Sequence, residues 1–334
     1  DRAGMHIPDG YLSPATCAAM YATSAPFWYV ALRRAARRIG TRLIPLLSVF
    51  AAFSFVVMMF NLPLPGGTTG HAVGVGIAAI VLGPWSAMLA ISVALLIQAL
   101  FFGDGGITTL GANCFNMAIA GSLVAYASYR LLAGRSAITS RRRVVAAGFA
   151  GYLAVNVAAL LTAIEFGIQP MLFKDAAGAP LYAPYPLGIA IPAMMIGHLT
   201  IAGMAEMVVT AGLVAWLQKS HLSLLSATAQ IPNGWRTARP LLAGLMVLML
   251  LTPLGVLAVG SAWGEWAPGE LGTVPAGLER LSSVWTAPFP DYAPSLLHQP
   301  WLGYLLSGAF GMGLILFTAL IVDWALARRR RRVQ

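Results

Sequence analysis

The sequence predicts an all-α integral membrane protein. Of its 334 residues, 58% are hydrophobic and only 10% are charged, whereas about 25% of a typical soluble domain is charged. The apolar residues also fall into long runs, and the basic residues fall between them. A soluble core cannot bury this much apolar side chain, so an ordinary cytosolic enzyme is excluded. The low charge also excludes a disordered chain.

Apolar runs predict nine transmembrane elements, in chain order. A spanning helix needs about 20 mostly apolar residues, and eight runs come near or exceed this length. A ninth run, 72–83, would cover only about 18 Å, so we predict a half-length helix that its neighbours bury. The eight longer runs are 11–32, 43–60, 86–102, 111–130, 144–165, 187–217, 241–260 and 301–326.

The positive charge follows this topology. With the N-terminus placed outside, 18 of the 21 Lys and Arg residues lie in inner segments, and only Arg2, Lys174 and Arg280 lie outside. The positive-inside rule predicts such an asymmetry. The count holds only if the short run 72–83 also crosses the membrane. The net charge of +10 is therefore attributed to topology rather than to nucleic-acid binding, and we expect a cytoplasmic C-terminus near the lipid surface.

Two polar segments divide the chain. Residues 219–239 are predicted to form a cytoplasmic linker, and residues 261–299, which contain three tryptophans and several prolines, an outer loop. The first part, 1–218, then holds seven transmembrane elements, including the short one. The second part, 240–334, holds two further helices joined by the outer loop.

Motifs for catalysis and nucleotide binding are missing from the sequence. Neither Lys174 nor Lys219 lies in a Walker A motif, and no H-E-x-x-H or G-x-S-x-G sequence occurs. Two cysteines are too few for a disulfide framework or a Cys-rich metal site. We therefore expect a protein that is not an enzyme and has no ATP site, so active transport would need an ion gradient or an ATPase on another chain.

Two histidines are candidate metal ligands. His6 precedes Pro8-Asp9-Gly10, a turn former that lets the chain fold back towards the bundle. His71 opens the short 72–83 run after a glycine-rich loop. A lone histidine at either place would more often be structural. Two neutral imidazoles on the same outer face favour a metal site.

Polar residues near the same outer end form a third cluster. Two alternatives remain open for them: they line a pocket or orient a ligating imidazole, or they satisfy the backbone of a re-entrant loop. Asn113 and Asn116 are three residues apart, which predicts a shared helix face. The candidates are Thr69, Gln98, Asp104, Asn113 and Asn116.

His198 and Glu206 lie within the 187–217 run, where an ionisable side chain is costly and marks a possible functional position. Eight helical residues separate them by roughly 80° and about 12 Å, so they cannot chelate one ion together. Glu206 is expected to form an interhelical hydrogen bond or to meet a partner chain. A membrane enzyme with these two residues as an acid/base pair would lack a nucleophile and a cofactor.

Small residues recur at helical spacing on the first helix, among them Ala18 and Ala22. Such positions let a helix of a partner protein approach closely. Packing within this chain is the alternative.

Three motifs resemble, in order, the nickel/cobalt substrate-binding components of energy-coupling-factor (ECF) transporters, the NikM/CbiM family. The first motif is Met5-His6-Ile7-Pro8-Asp9-Gly10-Tyr11-Leu12, the second is Gly67-Thr68-Thr69-Gly70-His71, and the third runs from 82 to 117. The resemblance covers about residues 5–218. The tail 240–334 more weakly resembles the small N component of these systems, fused here, through its topology and Pro275–Glu279.

The resemblance implies that Ni(II) or Co(II) is the transported substrate. Nitrogen donors from the Met5 amine, His6 and His71 would hold it near the outer face. A free amine, the next amide and that residue's imidazole form fused chelate rings, and four nitrogens in a plane suit Ni(II). The resemblance also implies a T/Q-type transmembrane coupling component and cytoplasmic ABC ATPases as partners, in the bacterial or archaeal cell (inner) membrane.

The start of the chain departs from the family pattern. Asp1-Arg2-Ala3-Gly4 precede Met5, so Met5 offers a free amine only without them. Either these residues are foreign to the mature chain, or processing removes them, or the ligand set differs. Pro8-Asp9-Gly10 resembles the nickel branch more than the cobalt branch. Cobalt uptake for cobalamin synthesis and a gradient-driven transporter of an organic solute are the alternative functions.

Overall fold

The computed structural model describes residues 6–38, 43–64, 68–225, 234–257, 263, 266, 268–293 and 299–331. Its first half is helical apart from one small hairpin. In this hairpin, strands β1 and β2 pair antiparallel, with Leu62 opposite Gly70. The elements are α1 (Pro14–Arg38), α2 (Leu43–Met58), β1 (Leu62–Leu64), β2 (Thr68–Gly70), α3 (Val75–Leu82), α4 (Pro84–Ile97), α5 (Leu110–Asn113) and α6 (Gly121–Ala133).

The second half continues as helices. Two of them, α7 and α12, are 32 residues long. The elements are α7 (Arg141–Leu172), α8 (Leu187–Gly197), α9 (Gly203–Ser220), α10 (Gly234–Leu251), α11 (Ala276–Ser282) and α12 (Pro300–Arg331), with short 3₁₀ turns at Leu222–Leu225, Thr252–Leu257, Pro268–Glu270 and Pro290–Tyr292. Because α9 ends at Ser220 and α10 begins at Gly234, the helices extend into both ends of the predicted 219–239 linker.

Six helical segments among the described residues are long and apolar enough to cross a membrane, which confirms an all-α integral membrane protein. Two helices that the sequence predicted as spans are not among the six. The α2 helix is apolar but has only 16 residues, and α1 is rich in small and hydroxyl side chains. The six segments are Pro84–Phe102, Leu110–Ala133, Arg141–Leu172, Leu187–Ser220, Ala238–Val256 and Pro300–Leu326.

In the described part of the chain, three π-helical turns interrupt the spanning helices: Gln98–Phe102, Cys114–Ala120 and His198–Ala202. Each contains a polar residue that the sequence marked as a candidate: Gln98, Asn116 and His198. Such turns occur often at functional sites because they shift a side chain out of the regular helical spacing.

The α3 helix is the predicted half-length helix. It has eight residues, and it lies between Gly74 at φ 74° and Gly83 at φ 78°. Both values lie in the region that favours glycine, which explains how the chain can turn sharply at each end. The helix packs against α4, α6, α7 and α9, so its short backbone is enclosed by protein, as its length requires in a membrane.

Helices α3, α7 and α9 approach closely where small residues meet. A Cβ atom placed on Gly76 of α3 would lie 2.9 Å from the Cα of Gly151 on α7 and 2.8 Å from the methyl group of Thr210 on α9. Because glycine has no side chain, the three helices can approach this closely, as small residues allow in membrane bundles.

We expect Gly76→Ala to destabilise the fold by about 1–3 kcal/mol, because the added methyl group must displace both the Thr210 side chain and the Gly151 backbone. Gly212→Ala on α9 is the matched control, since a Cβ at Gly212 meets no atom within 4 Å. Thermal unfolding in detergent measures both. Equal unfolding temperatures for the two variants would contradict the close approach.

Candidate metal site

Two buried imidazoles meet at one end of the bundle. His6, in the segment before α1, and His71, between β2 and α3, have ring centroids 5.2 Å apart. Their residues are 1% and 0% exposed. The structure therefore brings together the two histidines that the sequence singled out, although 65 positions separate them in the chain.

Each ring has one nitrogen facing an oxygen and one nitrogen free. Nδ1 of His6 lies 2.6 Å from Oδ1 of Asp104, and Nδ1 of His71 lies 2.9 Å from the Ala72 carbonyl oxygen. Nε2 of both rings has no hydrogen-bond partner among the described residues. With the proton on Nδ1, each ring presents a lone pair at Nε2, as metal-ligating histidines do.

The charges at this position suit a cation. Burial and the neighbouring His6 lower the pKa of His71 to about 3, although Asp104 acts in the opposite direction. His71 is therefore neutral at physiological pH. Burial alone would raise the pKa of Asp104, but His6, His71 and the Tyr292 hydroxyl outweigh it and leave that pKa below its usual value. Asp104 is thus a carboxylate beside the two imidazoles.

Asn113 fixes the backbone next to His6. Its side-chain oxygen accepts a hydrogen bond from the Ile7 N–H at 2.8 Å, and its side-chain NH₂ donates to the Ile7 carbonyl oxygen at 3.1 Å. The Gly106 N–H donates to that same carbonyl oxygen at 2.9 Å. The backbone N–H and carbonyl groups of Ile7 are therefore both hydrogen-bonded to the 103–113 segment. These contacts set the position of His6, the residue before Ile7.

Asp9 ties the same segment to the same loop. Its carboxylate accepts hydrogen bonds from the N–H groups of Ile107 at 3.1 Å and Thr108 at 2.7 Å. The sequence predicted Asp9 only as part of a turn. Its anchoring role required the loop partner, which lies about 100 positions away and leaves no local signal.

The other predicted pocket residues separate into two groups. The Gln98 side-chain NH₂ donates to Oδ2 of Asp104 at 3.3 Å, and Thr69 is buried beside His71 in the chain. Asn116 instead donates to the Glu165 carboxylate at 2.8 Å. Asn113 and Asn116, which were expected to share a helix face, thus bind different partners, and a π-helical turn that changes the regular spacing begins between them at Cys114.

Glu206 holds the N-terminus of α3. Its carboxylate is fully buried and accepts hydrogen bonds from the N–H groups of Val73 and Gly74 at 2.8 Å and of Gly76 at 3.0 Å. An anion at a helix N-terminus is stabilised by the unpaired N–H groups and the helix dipole. Of the two roles predicted for Glu206, the interhelical hydrogen bond is present, and it fixes the chain two residues beyond His71.

His198 has a separate environment. Its Nδ1 lies 2.7 Å from the Met194 carbonyl oxygen, and its Nε2 has no hydrogen-bond partner among the described residues. The hydrogen bonds of His198 and Glu206 thus go to different elements, as their helical separation predicts. Met5, the third predicted ligand, lies outside the described residues.

Residues 6–224 match the family described as "Cobalt uptake substrate-specific transmembrane region". The chain belongs to this family. It is 56% identical to the fused nickel transport protein NikMN of Rhodobacter capsulatus, over 93% of this chain and 95% of that protein. It is 34% identical to the cobalt transport protein CbiM of Geobacter sulfurreducens, over 81% of this chain and 76% of that one.

Solved structures support the same placement in the CbiM family. The crystal structure of a truncated transition metal transporter is 49% identical and superposes with a TM-score of 0.61, covering 65% of this chain and 99% of that one. A second transition metal transporter gives a TM-score of 0.60 at 50% identity, over 64% and 92% of the two chains.

Sequence reasoning missed two further residues of this region. Tyr292 contacts Asp104 from the far end of the chain, and Glu165 pairs with Asn116 inside the bundle. A carboxylate inside the 144–165 run was a detectable signal for Glu165. Tyr292 carries no such signal, because an aromatic residue in a polar loop is ordinary.

We expect Glu206→Gln to weaken Ni(II) binding as well as stability, because the amide replaces one accepting oxygen with an NH₂ group that faces N–H donors at the start of α3, which loosens the segment after His71. Glu165→Gln is the matched control, since Glu165 is also a buried carboxyl group but contacts Asn116. Metal titration with thermal unfolding separates the two. If both variants lose affinity equally, Glu206 has no special connection to the site.

Proposed function

We propose that this chain is the substrate-specific membrane component that captures Ni(II), or Co(II), outside the cell and mediates its uptake in an ATP-driven ECF transporter. The observation that carries the proposal is the pair of buried imidazoles with free Nε2 atoms beside the Asp104 carboxylate. The family is described by cobalt uptake, and the relatives are named for nickel and cobalt transport.

His6 and His71 would bind the ion first. Metal–nitrogen bonds of about 2.0–2.1 Å, the length seen for imidazole on Zn²⁺, allow one ion to reach both rings at their present separation of 5.2 Å. The carboxylate of Asp104 lowers the energy of a divalent cation next to it, and the hydrogen bond through Nδ1 orients the His71 ring. Dehydration of the ion in this buried position is offset by these nitrogen ligands.

The Met5 amine remains the proposed additional ligand. The described residues contain no group of three or more His, Cys, Asp or Glu side chains able to hold a metal, so two imidazoles need donors of another kind. Met5 directly precedes His6. A chelate ring through the amide and imidazole of His6 closes on Nδ1, which faces Asp104 here. That binding mode therefore requires this contact to open when the ion enters.

Nickel is the proposed substrate and cobalt the alternative. Nitrogen sites bind Ni(II) more tightly than Co(II) by the general order of divalent affinities. The relatives include proteins named for each metal, so affinity in this chain must be measured. If neither metal binds, we expect the chain to transport an organic solute driven by an ion gradient.

The partners and the topology are proposals too. We place the N-terminus outside and the C-terminus in the cytoplasm, in the bacterial or archaeal cell membrane, because the basic residues then lie inside. A T/Q-type coupling component and cytoplasmic ABC ATPases would supply the energy that this chain does not supply itself. Their movement would disturb the 66–71 and 103–113 loops and break the metal site.

The division of labour within the chain follows the sequence boundaries. We assign metal binding to residues 1–218, a cytoplasmic linker to 219–239 and an N-component-like part to 240–334. In the fold, α10 and α12 pack against α2, so the second part lies along the first rather than apart from it.

A Ni(II) and Co(II) titration of two purified forms, one starting at Asp1 and one at Met5, tests the site. We expect tight binding by the Met5 form, and its loss in His6→Ala and His71→Ala, because each change removes a nitrogen ligand. Equal binding by both forms would assign the site to the histidines without the amine. If neither form binds either ion, the transport function is wrong and the organic-solute alternative gains.

The coupling component is proposed to contact the small-residue face of α1. Ala18 and Ala22 are exposed in the isolated chain, as a partner surface requires. We expect Ala18→Phe with Ala22→Phe to leave metal binding intact but to abolish co-purification with the coupling component, because bulk prevents close helix approach. Gly212→Phe, on the exposed face of α9, is the control. Co-purification of the α1 variant would refute this interface.

A further inference from the structure

An apolar cavity lies between helices α9 and α10. Its volume is about 400 Å³, which is within the range of ligand-binding pockets and far above the small voids of a close-packed interior. Leu213, Trp216 and Leu217 of α9 line one side, residues of α10 between 240 and 248 line the other, and α2 and α3 supply the remaining wall. We call it the α9–α10 cavity.

The cavity reaches from the outer surface of the bundle into its interior. Leu217 and Leu245 in its wall are buried, whereas Trp216 is 39% exposed and Val247 is 57% exposed. The exposed pair lies in two of the segments that are long and apolar enough to cross a membrane. The surface around the opening therefore faces lipid, so that a molecule from the bilayer can enter from the side.

The wall of the cavity suits hydrocarbon rather than water. The residues that line it are apolar, and an apolar cavity stays dry because water finds no hydrogen-bond partners there. Gly244 keeps the space open on the α10 side, since a Cβ atom placed on it would meet no atom within 4 Å. The material of the bilayer that matches such a space is an acyl chain.

Three basic side chains lie at one end of the cavity. Arg236 is one helical turn before Pro240 and shares its face of α10, because residues four apart are neighbours on a helix. Arg239 directly precedes Pro240, and Lys219 follows Trp216 by three residues on α9. The three basic residues are exposed, so their positive charges border the apolar space on the side that we place in the cytoplasm.

These charges are available to an anion. Within the described part of the chain, Lys219, Arg236 and Arg239 form no ion pair with a carboxylate. The carboxylate of Asp323 on α12 accepts a hydrogen bond from the indole N–H of Trp235 at 3.2 Å instead. A group of three cations beside an apolar cavity is electrostatically complementary to a negatively charged head group that carries a hydrocarbon chain.

We propose that the α9–α10 cavity binds an anionic phospholipid, with one acyl chain in the cavity and the phosphate against Lys219, Arg236 and Arg239. The order of the features along α10 matches such a lipid: nine residues separate Arg239 from Leu248, so the apolar wall extends about 14 Å below the charge. Trp216 lies at the boundary between the two, a position that tryptophan favours in membrane proteins.

The lipid would join the two parts of the chain. Helix α10 packs against α2 and α12, and the cavity lies between α10 and α9. An acyl chain in that space contacts both helices at once and adds packing that the side chains alone do not supply. The proposal adds a second ligand of different chemistry, and it does not depend on metal binding by His6 and His71.

Native mass spectrometry of the full chain in detergent tests lipid binding. We expect one molecule of phosphatidylglycerol to be retained, and phosphatidylcholine to be retained less, because its choline group cancels the charge of the phosphate. Arg236→Gln with Arg239→Gln should weaken phosphatidylglycerol binding about 25-fold, or about fivefold for each charge removed. Arg33→Gln with Arg34→Gln is the matched control, since these exposed arginines lie on α1, which packs against α4 and α5.

A second pair of variants tests the cavity itself. Gly244→Phe places a ring in the space that the acyl chain would occupy, and Gly313→Phe on α12 is the control, because a Cβ atom there also meets no atom within 4 Å. Phosphatidylglycerol should raise the unfolding temperature of the parental chain and of Gly313→Phe, since a ligand that binds the folded state stabilises it. For Gly244→Phe we expect no rise, and the unfolding temperature without lipid shows whether the variant is folded.

Three results would overturn the inference. Equal retention of the two lipids by the parental chain excludes a site for an anionic head group. An equal loss in the two arginine pairs assigns the effect to net charge rather than to this position. Parental phosphatidylglycerol binding in Gly244→Phe shows that the acyl chain lies elsewhere, and if that variant also fails to co-purify with the coupling component, the cavity is a surface for a partner helix. Failure of the chain to bind Ni(II) or Co(II) would contradict the proposed function and leave this inference intact.

Discussion

Pairing of buried polar groups without help from water is the constraint on which this structure depends. Lipid offers no hydrogen-bond partner, so a polar backbone group inside the bundle is destabilising unless the protein supplies one. The backbone N–H and carbonyl groups of Ile7 are hydrogen-bonded to Asn113 and Gly106. The N–H groups at the start of α3, which no carbonyl within the helix can pair, are hydrogen-bonded to Glu206. The two histidines are held in place by these pairs, one on each side.

The same constraint explains how a small number of residues fixes the orientation of the two imidazole rings. His6 and His71 each have one nitrogen oriented by an oxygen. The remaining nitrogens, Nε2 of each ring, have no hydrogen-bond partner among the described residues. The helices around Glu206 are closely packed, since α3 and α7 approach each other at Gly76 and Gly151 and a Cβ on Gly151 would lie 3.2 Å from the Glu206 side chain.

Much of this architecture was predictable from the sequence, and the reasons are physical. Apolar runs predict the positions and order of the six spanning helices found among the described residues, because a membrane requires apolar segments of this length. The half-length helix followed from its length alone. His6, His71, Asp104 and Asn113 were predicted as candidates from polarity next to apolar runs and from the resemblance. Asn116 was placed differently, because a π-helical turn breaks the regular spacing on which that prediction relied.

Tyr292 and Asp9 illustrate what local patterns do not contain. Their partners lie 188 and about 100 positions away, and neither residue type is unusual in a loop. Only the closed fold places their side chains against the loop that follows α4. Helix ends were also imprecise in the sequence, since α1 continues to Arg38 and α10 begins at Gly234; basic and polar residues end an apolar run before they end a helix.

The contact between Tyr292 and Asp104 has a consequence for the order in which the protein is made. Chains emerge from the ribosome N-terminus first and fold as they emerge. The imidazoles, Asn113 and Glu206 are all synthesised by the time α9 is complete. The hydroxyl that completes the hydrogen bonding of Asp104 arrives only when the segment before α12 has been translated. A nascent chain thus contains both imidazoles early, whereas the hydrogen bonding of the carboxylate beside them is complete only when translation has passed Tyr292.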